Sequence, residues 1–179
     1  TDPRYANVLR LENCTNLVLE DFTAGHTDGM GECSGGVISL NGCQQANLDS
    51  LGLYGCGIVG LTTDLCSDVF LTNSDIYDCS SAAVVSYTSK CITVSNCRIY
   101  DIGDDQYGGW AFFELTNTSG FIAEKCELST SNLNNILYAS NGDAELRNNL
   151  FVGNRIKQCA FSLTGPGLVL DDNKFDGNT

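Results

Sequence analysis

The residues able to do chemistry are mostly acidic. Asp64, Asp104, Asp105 and Glu114 could serve as general acids or bases, and His26 is the only histidine. His26 stands in the run Gly25-His26-Thr27-Asp28-Gly29-Met30-Gly31-Glu32. An imidazole there can act as base or ligand contact, or simply face solvent. Arg10 lies two residues from Glu12. A basic group beside a carboxylate suits proton abstraction next to a uronate, but the same pair also makes an ordinary surface ion pair. Tyr54, Tyr77 and Tyr100 recur at a constant spacing, Tyr87 lies between them, and Trp110 closes the run Gly103-Asp104-Asp105-Gln106-Tyr107-Gly108-Gly109-Trp110. Aromatic rings beside carboxylates and amides suit a sugar, whose C–H faces pack on the rings while polar groups take the hydroxyls. The alternative is that the tyrosines shield a strand corner and Trp110 anchors its loop.

Composition narrows the partners. With 9 Lys+Arg against 22 Asp+Glu, the formal charge is −13. Such a chain is repelled by nucleic acid and by anionic lipid, so neither is an expected partner. The longest apolar runs are only a few residues, too short for membrane insertion. An anionic polymer is also disfavoured unless Ca2+ bridges it. No cofactor is expected, and Ca2+ is the one ion the carboxylates leave room for. No metal site is expected from the ten cysteines, because no CxxC pair accompanies the single histidine.

The elements that position these residues follow from an internal repeat. Val69-Phe70-Leu71-Thr72-Asn73-Ser74-Asp75-Ile76-Tyr77-Asp78 aligns without a gap on Ile92-Thr93-Val94-Ser95-Asn96-Cys97-Arg98-Ile99-Tyr100-Asp101, 23 residues on (69 to 92). Continued along the chain, this register yields seven copies of three short period-2 strands. First strands turn inward Leu9/Leu11, Ile38/Leu40, Leu61/Thr63, Val84/Ser86, Phe113/Leu115, Ile136/Tyr138 and Phe161/Leu163. Second strands contribute pairs such as Val69/Leu71 and Ile92/Val94. Third strands contribute Ala24, Leu53, Ile76, Ile99, Leu128, Phe151 and Phe175. No copy can bury its apolar face alone, so the coils must stack, each strand pairing in parallel with its copies. Asp21, Ser50, Asn73, Asn96, Lys125, Asn148 and Asp172 fall between second and third strands, where a one-residue left-handed corner is expected.

The cysteines fall into the same columns. Cys14, Cys43 and Cys66 share one, Cys33, Cys56 and Cys79 another, and Cys97 and Cys126 a third, while Cys91 and Cys159 stand alone. Columns of three leave a thiol over, and stacked thiols fill a core well, so reduced, packed cysteines are expected.

These repeated segments, with their Asn73, Asn96 and Asn148 corners, resemble the right-handed parallel β-helix, pectate-lyase-like superfamily over nearly the whole chain. The resemblance implies an all-β solenoid of about seven coils, residues 1–179 forming a single domain. It leaves activity open, since the superfamily holds lyases, glycosidases, epimerases, tailspikes and inert shafts. Gly103-Asp104-Asp105 and Arg155-Ile156-Lys157 resemble two polygalacturonase motifs, in which an Asp pair works on water and leaving group and an Arg/Lys pair grips a uronate. That family's further Asp and its Gly-His-Gly have no counterpart, since Ala82-Ala83-Val84 and Cys126-Glu127 stand in their places.

Two coils carry longer third corners: 24 to 38 and 99 to 113, against 53 to 61 and 76 to 84. Loops on a rigid scaffold are where binding residues collect. The expected function is therefore a secreted or cell-surface domain engaging a polysaccharide or other glycan in a groove between the two loops. Substrate-binding candidates are Tyr54, Tyr77, Tyr100, Trp110, Arg10 and Tyr87. A polysaccharide lyase or glycoside hydrolase, or a structural shaft, are the alternatives. The abrupt opening at Thr1-Asp2-Pro3 also suggests flanking domains in a longer chain.

Overall fold

The computed structural model describes residues 3–28, 32–55, 58–103 and 108–179. Its strands build three parallel sheets, in each of which every strand hydrogen-bonds to its copies in the adjacent coils. The outcome is a parallel β-helix of seven coils. Leu71 pairs with Val94, and Ile76 with Ile99, so residues 23 apart lie over one another in these coils. Across the long corners the step is 29: Val84 pairs with Phe113, and Ile92 with Phe121.

All seven second-corner residues adopt the left-handed backbone, with φ between 49° and 56°. A single left-handed residue turns the chain sharply between two extended strands. Asn and Asp hold that conformation at little cost, while Ser50 and Lys125 hold it because the stacked coils impose it. Inside, Leu40, Leu61, Val69, Leu71, Ile76, Ile92, Val94, Ile99, Phe113 and Phe121 are fully buried. The two polar inward positions satisfy each other, Thr63 Oγ1 donating to Ser86 Oγ at 2.8 Å. In the first coil Leu9, Leu11, Leu17 and Leu19 are half-buried, and in the seventh Leu170 and Phe175 are exposed.

One expected register is overturned. In the sixth coil Leu137 and Ala139, not Ile136 and Tyr138, continue the inward column, pairing with Phe113 and Leu115 on one side and Phe161 and Leu163 on the other. The step is 24 here because the fifth coil's third corner is one residue longer than the short ones, 128 to 137, and the sixth coil's first corner one shorter, 137 to 144. A one-residue slip in a strand exchanges its faces, so Tyr138 lies outside. Ile136 is nevertheless buried, opposite the buried Phe112 of the adjacent strand.

The cysteine expectation also needs correction. Cys33 is disulfide-bonded. Cys43, Cys66, Cys79, Cys97 and Cys126 are free and buried as expected, but Cys91 and Cys159 are exposed and pack into no core. Cys91 stands on the strand Lys90–Ser95 and Cys159 in the connection between Arg155–Ile156 and Phe161–Thr164, both open to solvent, where core filling does not apply.

Candidate functional site

The candidate residues separate into two groups on different sheets. The first lies on the outer face of the first sheet. Its strands Val59–Asp64, Ala82–Tyr87, Gly109–Thr116 and Asn132–Ser140 are adjacent. Period-2 alternation sends Thr62, Val85, Glu114 and Tyr138 outward in one row, and Asp64, Tyr87 and Thr116 in the next. Tyr87 therefore lies beside Asp64 and diagonal to Glu114. Tyr138 lies beside Glu114, and the Trp110 indole meets its ring edge-on, with centroids 5.4 Å apart. Trp110 and Tyr87 remain 37% and 39% exposed, whereas Val85, between Thr62 and Glu114, is only 3% exposed. The patch thus has an apolar floor with aromatic and acidic walls.

The electrostatics follow from that burial. Half-burial of Glu114 raises its carboxyl above the ordinary glutamate range, because desolvation penalises the charged form. Burial raises the Tyr87 phenol, and the nearby Glu114 and Asp64 carboxylates raise it further. Asp64 is held by an amide, Asn41 Nδ2 donating to its Oδ2 at 3.0 Å. Glu114 is therefore a carboxyl with raised proton affinity, while Asp64 is hydrogen-bonded in place.

The second group is the tyrosine column on the third sheet. Tyr54 and Tyr77 stack at 5.5 Å with 12° between planes, and Tyr77 and Tyr100 at 5.1 Å with 1°. Gly25 underlies this stack, since a Cβ there would come within 2.7 Å of Tyr54 Cδ1. Both faces of Tyr77 are thus occupied by its neighbours. It offers solvent a ring edge and a hydroxyl, so a sugar could meet it through its hydroxyls but not lie flat upon it. Burial raises the Tyr77 and Tyr100 phenols, with nearby carboxylates adding to it.

The remaining candidates lie apart. His26 is in the first coil, its Nε2 3.3 Å from the Gly36 carbonyl, beside a hollow of about 390 Å³ that it lines with Val8, Thr27 and Asp28. Arg10 Nε donates to Glu12 Oε1 at 2.7 Å, and both side chains are well exposed. Asp104 and Asp105 lie outside the described residues, as do parts of both long loops, so the expected groove between them is not described. Lys157 reaches back over the fourth coil's long corner, its Nζ 2.7 Å from where a Cβ on Gly108 would stand. Among the described residues, no group of three or more His, Cys, Asp or Glu is arranged to hold a metal ion.

Tyr138 is the site residue that sequence reasoning missed, having been placed in the core. The signal was in the chain: Leu133, Asn135, Leu137 and Ala139 form an inward alternation, and Leu137 precedes the Asn141 corner by four residues, as Phe113 precedes Asn117.

Comparison with solved structures finds distant likenesses. An alginate lyase from Paenibacillus sp. str. FPU-7 is 11% identical, with 94% of this chain and 99% of that chain covered and a TM-score of 0.42. QnrB1, a plasmid-mediated fluoroquinolone resistance protein, is 14% identical over 98% of this chain and 88% of that one, with a TM-score of 0.32. The enzymatically active domain of bacteriophage CBA120 tailspike protein 2 is 11% identical over 97% and 35%, with a TM-score of 0.26. No curated protein matches the chain. The sequence family described as "Right handed beta helix region" matches residues 36–179, in agreement with the three wound sheets, and the chain belongs to that family.

Proposed function

We propose that this β-helix engages a carbohydrate on the outer face of its first sheet, over the patch formed by Trp110, Tyr138, Glu114, Tyr87 and Asp64. The observation that carries this is the gathering of Tyr87, Asp64 and Glu114 around an almost fully covered Val85, with exposed Trp110 joined to them through Tyr138 beside Glu114. Aromatic faces cover the C–H side of a pyranose, and Asp64 and Glu114 accept from its hydroxyls. The sheet supplies rigidity, since each side chain stands on a strand paired on both sides. The disulfide at Cys33 supports a secreted or cell-surface setting, because such bonds persist in oxidising compartments.

Affinity electrophoresis through gels of neutral and acidic polysaccharides tests the proposal. Retardation by at least one polymer, lost in Tyr87→Ala and in Trp110→Ala but kept in Tyr54→Ala, is the expected result. Equal migration of all four proteins in every gel would remove it.

A catalytic version, a polysaccharide lyase or glycoside hydrolase, is favoured by one observation: burial raises the Glu114 carboxyl toward the range where an acid or base works near neutrality. Release of reducing ends or of unsaturated uronate, lost in Glu114→Gln with binding retained, would distinguish it from binding alone.

A further inference from the structure

The corner after each first strand carries a column of thiols in the first three coils. Cys14, Cys43 and Cys66 are in register, because Glu12 pairs with Asn41 before the corner, and Thr15 with Gln44 after it. Main-chain bonds bracket Cys14 and Cys43: Asn13 N–H donates to the Asn41 carbonyl at 2.8 Å, and Gln44 N–H to the Cys14 carbonyl at 2.8 Å. In-register residues of adjacent parallel strands stand about 4.8 Å apart. That falls inside the roughly 4.4–6.8 Å Cα separation that a disulfide spans. The side chains also lean together. Cys43 Sγ reaches into the first coil, 3.5 Å from the Leu11 carbonyl, while Cys14 Sγ lies 3.6 Å from the Glu12 carbonyl. Burial raises the Cys14 thiol above its ordinary range, and the neighbouring Cys43 raises it further.

Access selects the pair. Cys43 and Cys66 are buried, at 0% and 2% exposure, and only Cys14 of the column is partly open to solvent. Cys97 and Cys126 form a comparable stacked pair in the fourth and fifth coils, since Ser95 pairs with Glu124 and Arg98 with Glu127, but both are buried. No reagent reaches that pair in the folded protein.

We propose that Cys14 and Cys43 are a thiol-oxidation site, converted by a low-molecular-weight disulfide into a covalent staple between the first and second coils. Cys14, having given its proton to solvent, attacks one sulfur of the reagent, whose S–S bond breaks to release one thiolate. Cys43, likewise deprotonated, attacks Cys14 Sγ and expels the second thiolate. The two protein thiols lose two electrons and two protons, and the reagent takes up both. The staple closes the chain from 14 to 43, which includes the long first corner and His26. It also acts on a coil whose inward residues Leu9, Leu11, Leu17 and Leu19 are only half-buried. Closing a loop of this length removes freedom mainly from the unfolded chain.

The test treats the folded protein with oxidised glutathione, alkylates it after unfolding, and maps peptides without reduction. The expected product joins the Cys14 and Cys43 peptides with loss of two hydrogens. Cys91 and Cys159 should carry glutathione, and Cys97 and Cys126 should be alkylated. Cys14→Ser should leave Cys43 alkylated, and Cys66→Ser should leave the link intact. The linked protein should melt several degrees higher, and a dithiol reductant at a level that leaves Cys33 bonded should reverse the gain. A Cys14 that remains free, that stops at the glutathione adduct, or that links to Cys66 or to another molecule would overturn the proposal.

Discussion

Replacing Asn149 by alanine should be among the most damaging single changes in the C-terminal half. Asn149 is 1% exposed, in the column that holds Cys126 one coil earlier and Asn173 one coil later. Its Oδ1 accepts from the Cys126 N–H at 2.9 Å, and its Nδ2 donates to the Ala123 carbonyl at 2.9 Å and to Asn173 Oδ1 at 3.0 Å. Alanine removes all three, leaving a buried N–H and a buried C=O without these partners. At about 1–3 kcal/mol for each unsatisfied buried group, the loss is roughly 2–6 kcal/mol. A domain of ordinary stability holds only about 5–15 kcal/mol in all, so the effect should be plain. Asn149→Ser should cost less. Ser74, in the same column, shows why: its Oγ accepts from the Leu51 N–H at 3.0 Å and donates to the Thr72 carbonyl at 2.7 Å. A serine at 149 can satisfy Cys126 in the same way, but its hydroxyl then turns to its own strand and not to Ala123. Urea unfolding gives the total effect, and amide exchange at Cys126 localises it. A loss under about 1 kcal/mol with unchanged Cys126 protection would refute the idea that the ladder supports these coils.

Other outcomes follow from individual contacts. Burial raises the Glu114 carboxyl, so its charged form opposes folding, and the associated stability is present at low pH and lost as pH rises through its folded value. Glu114→Gln should therefore melt higher than the parent at pH 7, with the gap closing toward pH 4; an equal gap at both would contradict this. The Asp49 carboxyl is held below its usual range by donors from Thr72 at 2.5 Å, Asn73 at 2.7 Å and Ser50 at 2.9 Å. Its contribution is present near neutrality and lost on acidification, so Asp49→Ala should lower the melting temperature at pH 7 and not at about pH 2. Gly25→Ala places a Cβ 2.2 Å from the Tyr54 carbonyl oxygen. It should cost about 1–3 kcal/mol and weaken the tyrosine near-ultraviolet dichroism, and full retention of that signal would show the column to be independent of Gly25.

Much of the scaffold is legible in local residue patterns. The seven second corners are marked by single residues, mostly Asn and Asp, and each adopts the left-handed backbone expected of it. The columns through Leu71 and Val94, and through Ile76 and Ile99, follow because strands between fixed corners have no freedom to slip. Asp64, Tyr87, Glu114 and Trp110 were identifiable as outward or loop residues by the same counting. That four of them share one patch follows from stacking once the coil length is known.

The rest was decided by the wound chain. Asn132–Ser140 carries apolar residues on both alternations, Leu133, Leu137 and Ala139 on one and Ile136 and Tyr138 on the other. Local pattern alone therefore could not choose its face. Pairing with Phe113 and Leu115 chose it, and by doing so moved Tyr138 from the core to the side of Glu114. The proton affinity of Glu114 is likewise a matter of burial by neighbours in adjacent coils, and the fate of each cysteine depends on what stands next to it in space. Period and corner chemistry are properties of short stretches and can be read from them. Register between coils, depth of burial and reach from one thiol to another exist only once the stretches are stacked.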